Sequence, residues 1–84
     1  MGRIVRRLIT KFHHGNDKRE GEIDVTGIPI ADLQRILHPG PDDPLIYSCY
    51  RLDKGQLAAL QPYVDEILDA TGFEYDLECE AEPE

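Results

Sequence analysis

The chain has no apolar run approaching the ~20 residues of a membrane-spanning helix, so no helical membrane span is expected. Glycine-rich phosphate loops are missing: Gly27 and Gly40 stand alone, which argues against a nucleotide-binding loop. Cys and His residues do not fall at metal-ligand spacing. His13 and His14 are adjacent and would point to opposite sides of a strand, His38 precedes Pro39, and Cys49 and Cys79 are isolated. No metal or cofactor is therefore expected. Basic residues are also scarce, 9 Lys and Arg against 17 Asp and Glu, giving a formal net charge of −8. A field of that sign repels nucleic acid and anionic membrane and favours basic partners. Internal repeats are absent, and the acidic C-terminal stretch is the one biased segment.

What the chain does contain fits one domain over residues 1–84, with 80–84 a candidate disordered tail. A domain of this size buries only about 60 % of the surface its unfolded chain exposes. Hydrophobic residues at 40 % and charged residues at 31 % are a folded rather than a disordered balance. Arg6 and Arg7 interrupt the only early apolar stretch, so no secretory leader is expected. Arg6 also occupies the position where a myristoylation motif wants Ser or Thr. These features, with two cysteines expected as reduced, small core residues, place the protein in the cytoplasm.

The charge is unevenly spread. Residues 1–19 hold six bases against Asp17 alone, and the rest holds three bases against sixteen acids. Residues 73–82 read Phe-Glu-Tyr-Asp-Leu-Glu-Cys-Glu-Ala-Glu, an acid at every second position. That period-2 pattern predicts a strand with one apolar face and one row of carboxylates.

Earlier segments supply the remaining elements. Residues 3–12 predict a first strand, with Ile4, Leu8 and Phe12 facing inward and Arg3, Arg7 and Lys11 outward. Arg6 breaks this pattern by sharing the apolar side, and Val5 and Ile9 share the basic one. His13-His14-Gly15-Asn16-Asp17 predicts a turn into a second strand over 20–26, with Ile23 and Val25 inward and Glu22 and Asp24 outward. Gly27-Ile28-Pro29 opens a helix whose stripe is Ile30, Leu33 and Leu37, with Ile36 beside it, ended by His38-Pro39-Gly40-Pro41. Residues 45–52 predict a third strand rich in β-formers. Asp53 with Gln56 three positions on reads as a capping box opening a second helix. Its apolar face is Leu57, Leu60, Val64, Ile67 and Leu68, and Pro62 inside it should kink or split it.

The expected fold is α+β, in the order β-β-α-β-α-β: a four-stranded mixed sheet with two helices packed on one face. Short connections imply that strands 2, 3 and 4 run the same way. Strand 4 beside strand 1 is the better arrangement, because Arg3, Arg7 and Lys11 then stand opposite Glu74, Asp76, Glu78 and Glu80. Cross-strand pairs of opposite charge contribute about 0.2–1 kcal/mol each, and like pairs cost a similar amount.

Candidate chemistry is thin. Cys79 among acids would have its thiol pKa raised, which weakens it as a nucleophile. An acid–base carboxylate pair needs one member desolvated, and the pattern puts most acids on exposed faces. The basic N-terminal third has little aromatic interleaving, so no nucleic-acid partner is expected. Tyr47, Tyr63 and Tyr75 are possible interface anchors.

Residues 21–36 (Gly-Glu-Ile-Asp-Val-Thr-Gly-Ile-Pro-Ile-Ala-Asp-Leu-Gln-Arg-Ile), 42–50 and 73–79 resemble a group of small bacterial proteins of unknown function. Those chains are similar in ending on an aromatic-rich strand closing in Leu-Glu-Cys. The resemblance covers most of the chain and implies no catalytic residues. In size and acidity the chain also resembles bacterial immunity proteins that block toxic nucleases.

The expected function is therefore a non-catalytic binding domain, in its most concrete form an inhibitor or immunity protein. Glu22, Asp24, Glu74, Asp76, Glu78 and Glu80 would face a basic protein partner such as a toxin. The alternatives are a small enzyme using Asp42, Asp43 or His38 near the Pro-rich loop, or a homodimer built through the sheet face or an edge strand.

Overall fold

A computed structural model describes residues 4–15 and 18–82, with side chains for 5–15 and 18–80. Arg3, Asn16 and Asp17, used in the expectations above, and residues 83–84 of the expected tail lie outside the described residues. The elements are β1 (Ile4–His13), β2 (Arg19–Asp24), α1 (Ile30–Leu37), β3 (Tyr50–Arg51), α2 (Lys54–Leu60), a 3-10 turn (Gln61–Tyr63) and β4 (Phe73–Glu82). The order β-β-α-β-α-β and the α+β class hold. The expected tail is instead sheet as far as Glu82.

The sheet runs β2-β1-β4-β3, so the strand with the early bases does lie beside the acidic strand. All three pairings are antiparallel, which corrects the mixed sheet expected from short connections. The difference lies at β3. Pro62 sits in the 3-10 turn, where α2 stops, and the chain from Gln61 to Gly72 returns without a further helix. That long return lets β4 run against β3 rather than with it.

The third strand is also shorter than 45–52, reduced to Tyr50–Arg51. Asp43 accepts hydrogen bonds from the backbone N–H groups of Tyr47 (2.9 Å) and Ser48 (3.1 Å), so these donors are turned away from a ladder. Ile46 adopts φ 58° while its side chain is wholly buried. A β-branched residue at positive φ is strained, and burial of the side chain offsets that cost.

Local rules explain the helices. Pro29 precedes α1, and Leu33 and Leu37 are buried on its inner stripe with Ile30 and Ile36 partly buried. His38 caps the C-terminus in the left-handed conformation, φ 51°. At α2 the capping box forms: Asp53 Oδ1 accepts from Gln56 N–H at 2.8 Å, and Gln56 Oε1 accepts from Asp53 N–H at 2.9 Å. Leu57 and Leu60 are buried and Val64 and Leu68 pack at the core edge. Ile67, expected on the same helical face, is 80 % exposed because the helix has already ended.

Both helices cover one face of the sheet. Ile9 stands opposite Ile23 on one side and Leu77 on the other, and it joins Tyr75, Val25, Leu33, Leu37, Leu57 and Leu60 in one core. This reverses the face assigned to β1. Val5, Arg7, Ile9 and Lys11 lie on the helix side, and Arg6, Leu8, Thr10 and Phe12 lie on the acidic side. Residues 4–12 contain two interleaved apolar sets, and a slip of one residue exchanges them. The apolar cross-strand neighbours of Ile9 decide the choice.

Arg7 and Lys11 tolerate the helix side by reaching its margins. Arg7 Nη2 donates to the Leu45 carbonyl at 2.7 Å. Lys11 Nζ lies 4.1 Å above the Phe73 ring and 3.3 Å from Glu66 Oε2, a cation–π contact and an ion pair together. No helix among the described residues is long and apolar enough to cross a membrane.

Candidate functional site: an acidic sheet face clamped by arginines

Cross-strand register gathers the six expected acids on the sheet face without helices. Leu8 lies between Asp24 and Glu78, Thr10 between Glu22 and Asp76, and Arg6 and Phe12 stand opposite Glu80 and Glu74. Directly opposed residues share a face, so the acids of β2 and β4 flank β1 in two parallel rows.

None of the six stands alone. Arg6 reaches Asp24 and Glu80, each at 3.6 Å, and so crosses β1 from one acidic row to the other. Arg19 does the same between Glu22 (3.4 Å) and Glu78 (3.9 Å). Arg51 at the β3 edge holds Glu74 at 3.1 Å and Asp76 through a short Nε–Oδ1 contact. His14 Nδ1 is 3.6 Å from Glu74, and His13 pairs with Glu20. Two guanidinium bridges therefore cross β1 between the acidic rows, and Leu8 and Thr10 on the same strand are 3 % and 0 % exposed on a face with no helix.

Arginine suits these bridges because its planar fork can serve two carboxylates at once. Of the expected partners of the acidic row, Arg7 and Lys11 reach other groups instead. Arg7 and Lys11 face the helices, and Arg3 lies outside the described residues. The signal for the true bridge was present: Arg6 is the base that shares the alternation of Leu8 and Phe12. Arg19 and Arg51 carried no such signal, because a bulge at Lys11/Phe12 sets the position of Arg19 and the register of β3 sets that of Arg51.

Among the described residues, these six carboxylates outnumber the three guanidiniums that bridge them. Hydrogen bonds from the Thr26 hydroxyl and amide, the latter at 2.8 Å, hold Asp24 below the usual carboxylate range, with Arg6 adding a smaller pull. The hydrogen bond to Asp76 raises the Arg51 guanidinium further, fixing its charge.

Cys49, expected in the core, is exposed, and Cys79 is partly buried; both are free thiols. Cys49 Sγ lies 3.8 Å from Asp76 Oδ2, and its ligand atom and those of Asp76 and Glu78 fall within 4.8 Å of one another. Burial raises the Cys49 thiol, and Asp76 and Glu78 raise it further, so the thiolate is disfavoured. The Thr10 hydroxyl, opposite Asp76, is buried without a hydrogen-bond partner.

The Pro-rich loop is organised for shape. Asp43 accepts from Tyr47 N–H, Ser48 N–H and the Tyr50 hydroxyl, which holds its carboxyl below the usual range. His38 and Asp42 are exposed. A cavity of about 250 Å³ lies elsewhere, lined by His14, Arg51, Leu52, Lys54, Leu57 and Phe73 among others.

Of the three tyrosines, Tyr75 is core and its hydroxyl accepts from Asp69 N–H at 3.0 Å. Tyr63 donates to Asp32 at 2.9 Å and ties the 3-10 turn to α1. Tyr47, 54 % exposed, is left to act as an anchor.

A comparison with curated proteins returns no match. Over residues 6–78, from the Arg6 bridge to Glu78 of the acidic row, the chain matches the model of a domain of unknown function (DUF7683), and it belongs to that family.

Proposed function

We propose that this chain is a non-catalytic binding domain that docks a basic protein partner on the uncovered face of its sheet. The observation that carries this reading is the gathering of Glu22, Asp24, Glu74, Asp76, Glu78 and Glu80 on one helix-free face, in excess over Arg6, Arg19 and Arg51. The arginine bridges hold the carboxylates at fixed spacing, so little side-chain freedom is lost when a partner engages them. The net charge of −8 adds a long-range field that accelerates encounter with a positive surface by about 10–1000-fold.

In its most specific form the domain is a bacterial, cytoplasmic inhibitor of the immunity type and the partner is a toxin. Small size, acidity and the absence of a catalytic constellation in the sequence support that form. The enzyme alternative loses ground at its own site. Asp43 already accepts from the Tyr50 hydroxyl and from two amides of its own loop, which hold its carboxyl below the usual range and make it a weak base.

The test is affinity capture from the source cell at low and high salt, using the native chain and a Glu22→Lys/Glu80→Lys variant whose fold is checked by circular dichroism. A basic protein should be retained at low salt, released at high salt, and lost with the variant. Retention unaffected by charge reversal would overturn the reading.

A further inference from the structure

We propose that the outer edge of β2 is where an extended segment of the basic partner binds, adding a fifth strand to the sheet. This rests on the reading above and specifies the form of the partner. Among the described residues, β2 is an edge strand that pairs only with β1. Arg7 O accepts from Val25 N–H at 2.8 Å, so odd-numbered positions of β1 turn their backbone groups toward β2. Their partners Gly21 and Ile23 then turn inward, and Glu22 and Asp24 turn their N–H and C=O groups outward. Among the described residues no backbone group meets them there. Both residues are exposed.

Charge selects the occupant. A second copy of this chain paired along the same edge would set Glu22 and Asp24 near their own duplicates, a like-charge arrangement that costs free energy. A segment with Lys or Arg at alternate positions places those side chains beside Glu22 and Asp24 on the open face. Its intervening residues fall on the helix side. There a Cβ built at Gly21 would meet nothing within 4 Å, and Ile23 is only partly covered. That open position leaves room for a small apolar side chain next to Ile23. The recognised partner segment is thus an extended strand alternating basic and small apolar residues, held by main-chain hydrogen bonds.

Two synthetic peptides of equal composition test this at low salt: one alternating Lys and Val, the other with its lysines and valines in separate blocks. The alternating peptide should bind at least about tenfold more tightly and slow amide exchange at Glu22 and Asp24 by a similar factor. Glu22→Pro, which removes an outward N–H, should abolish that preference, and Glu22→Gln should weaken binding only a few-fold. Equal binding of both peptides to the native chain, with exchange at Glu22 and Asp24 unchanged, overturns the edge assignment and leaves acidic docking standing. Failure of both peptides to bind overturns acidic docking itself.

Discussion

The Tyr50 hydroxyl donates to Asp43 Oδ2 at 2.5 Å and closes the loop that leads into β3. This bond keeps the phenol protonated: Asp43 is the main cause that pushes Tyr50 from 10.0 up to about 12, with desolvation second. A raised folded-state value means that the folded state favours the protonated phenol. Its contribution is complete below pH 10 and is lost as the pH rises from about 10 to about 12. Ultraviolet titration should show one tyrosine ionising near the upper value, and Asp43→Asn should bring it back toward 10.

Asp43 itself titrates in the opposite sense. Its folded-state value lies below 3.8, so its contribution is present above the unfolded value and is lost as the pH falls through the folded one. Acidification below pH 4 should therefore loosen the loop before the core. Amide exchange at Tyr47 and Ser48, the donors to Asp43, should rise first, while Ile9 and Leu77 stay protected.

Adjacent residues of β1 offer a test of the face assignment. Ile9 sits in the helix-covered core, and Ile9→Ala should cost about 2–5 kcal/mol. Leu8 lies outside that core, on the face without helices, where its cross-strand neighbours are Asp24 and Glu78 and long side chains can settle into the space it leaves. Leu8→Ala should therefore fall at or below the low end of that range in urea unfolding.

Removing the Arg19 bridge frees Glu22 and Glu78. Because the pair is solvent-exposed, Arg19→Ala should cost no more than about 1 kcal/mol. The cost should shrink when urea unfolding is repeated at high salt, because screening weakens both the bridge and the repulsion it relieves.

Asp53→Ala removes the side-chain acceptor for the Gln56 N–H, one of the two bonds of the capping box, and should cost about 1 kcal/mol, reported as a drop in midpoint without a change in slope.

Strictly local features were legible in the sequence. The capping box needs only Asp53 and Gln56, α1 needs only its apolar stripe, and the acidic row of β4 needs only alternation. Charge points to β1 beside β4, as the sheet has it, although Arg7 and Lys11, the bases invoked for it, face the helices. What failed depended on distant partners. Two apolar sets compete in β1, and only contact with Ile23 and Leu77 selects Ile9. The β-forming residues 45–49 were read as strand, but Asp43 captures their amides and burial holds Ile46 at φ 58°. Alternation alone puts the six acids on outward strand faces, and the register joins those into one face; Arg19 and Arg51, which bridge them, have no such signal, because a bulge and a cross-strand register have no single-segment signature.

The β1–β4 ladder joins Ile4 to Glu82, across nearly the whole chain. While the polypeptide is being synthesised, β1 has only β2 for a neighbour, and Ile9 has nothing on its other side until Leu77 emerges. The domain should therefore acquire its native sheet late, after the acidic strand has left the ribosome, and should fold slowly for its size because its main pairing is so distant along the chain.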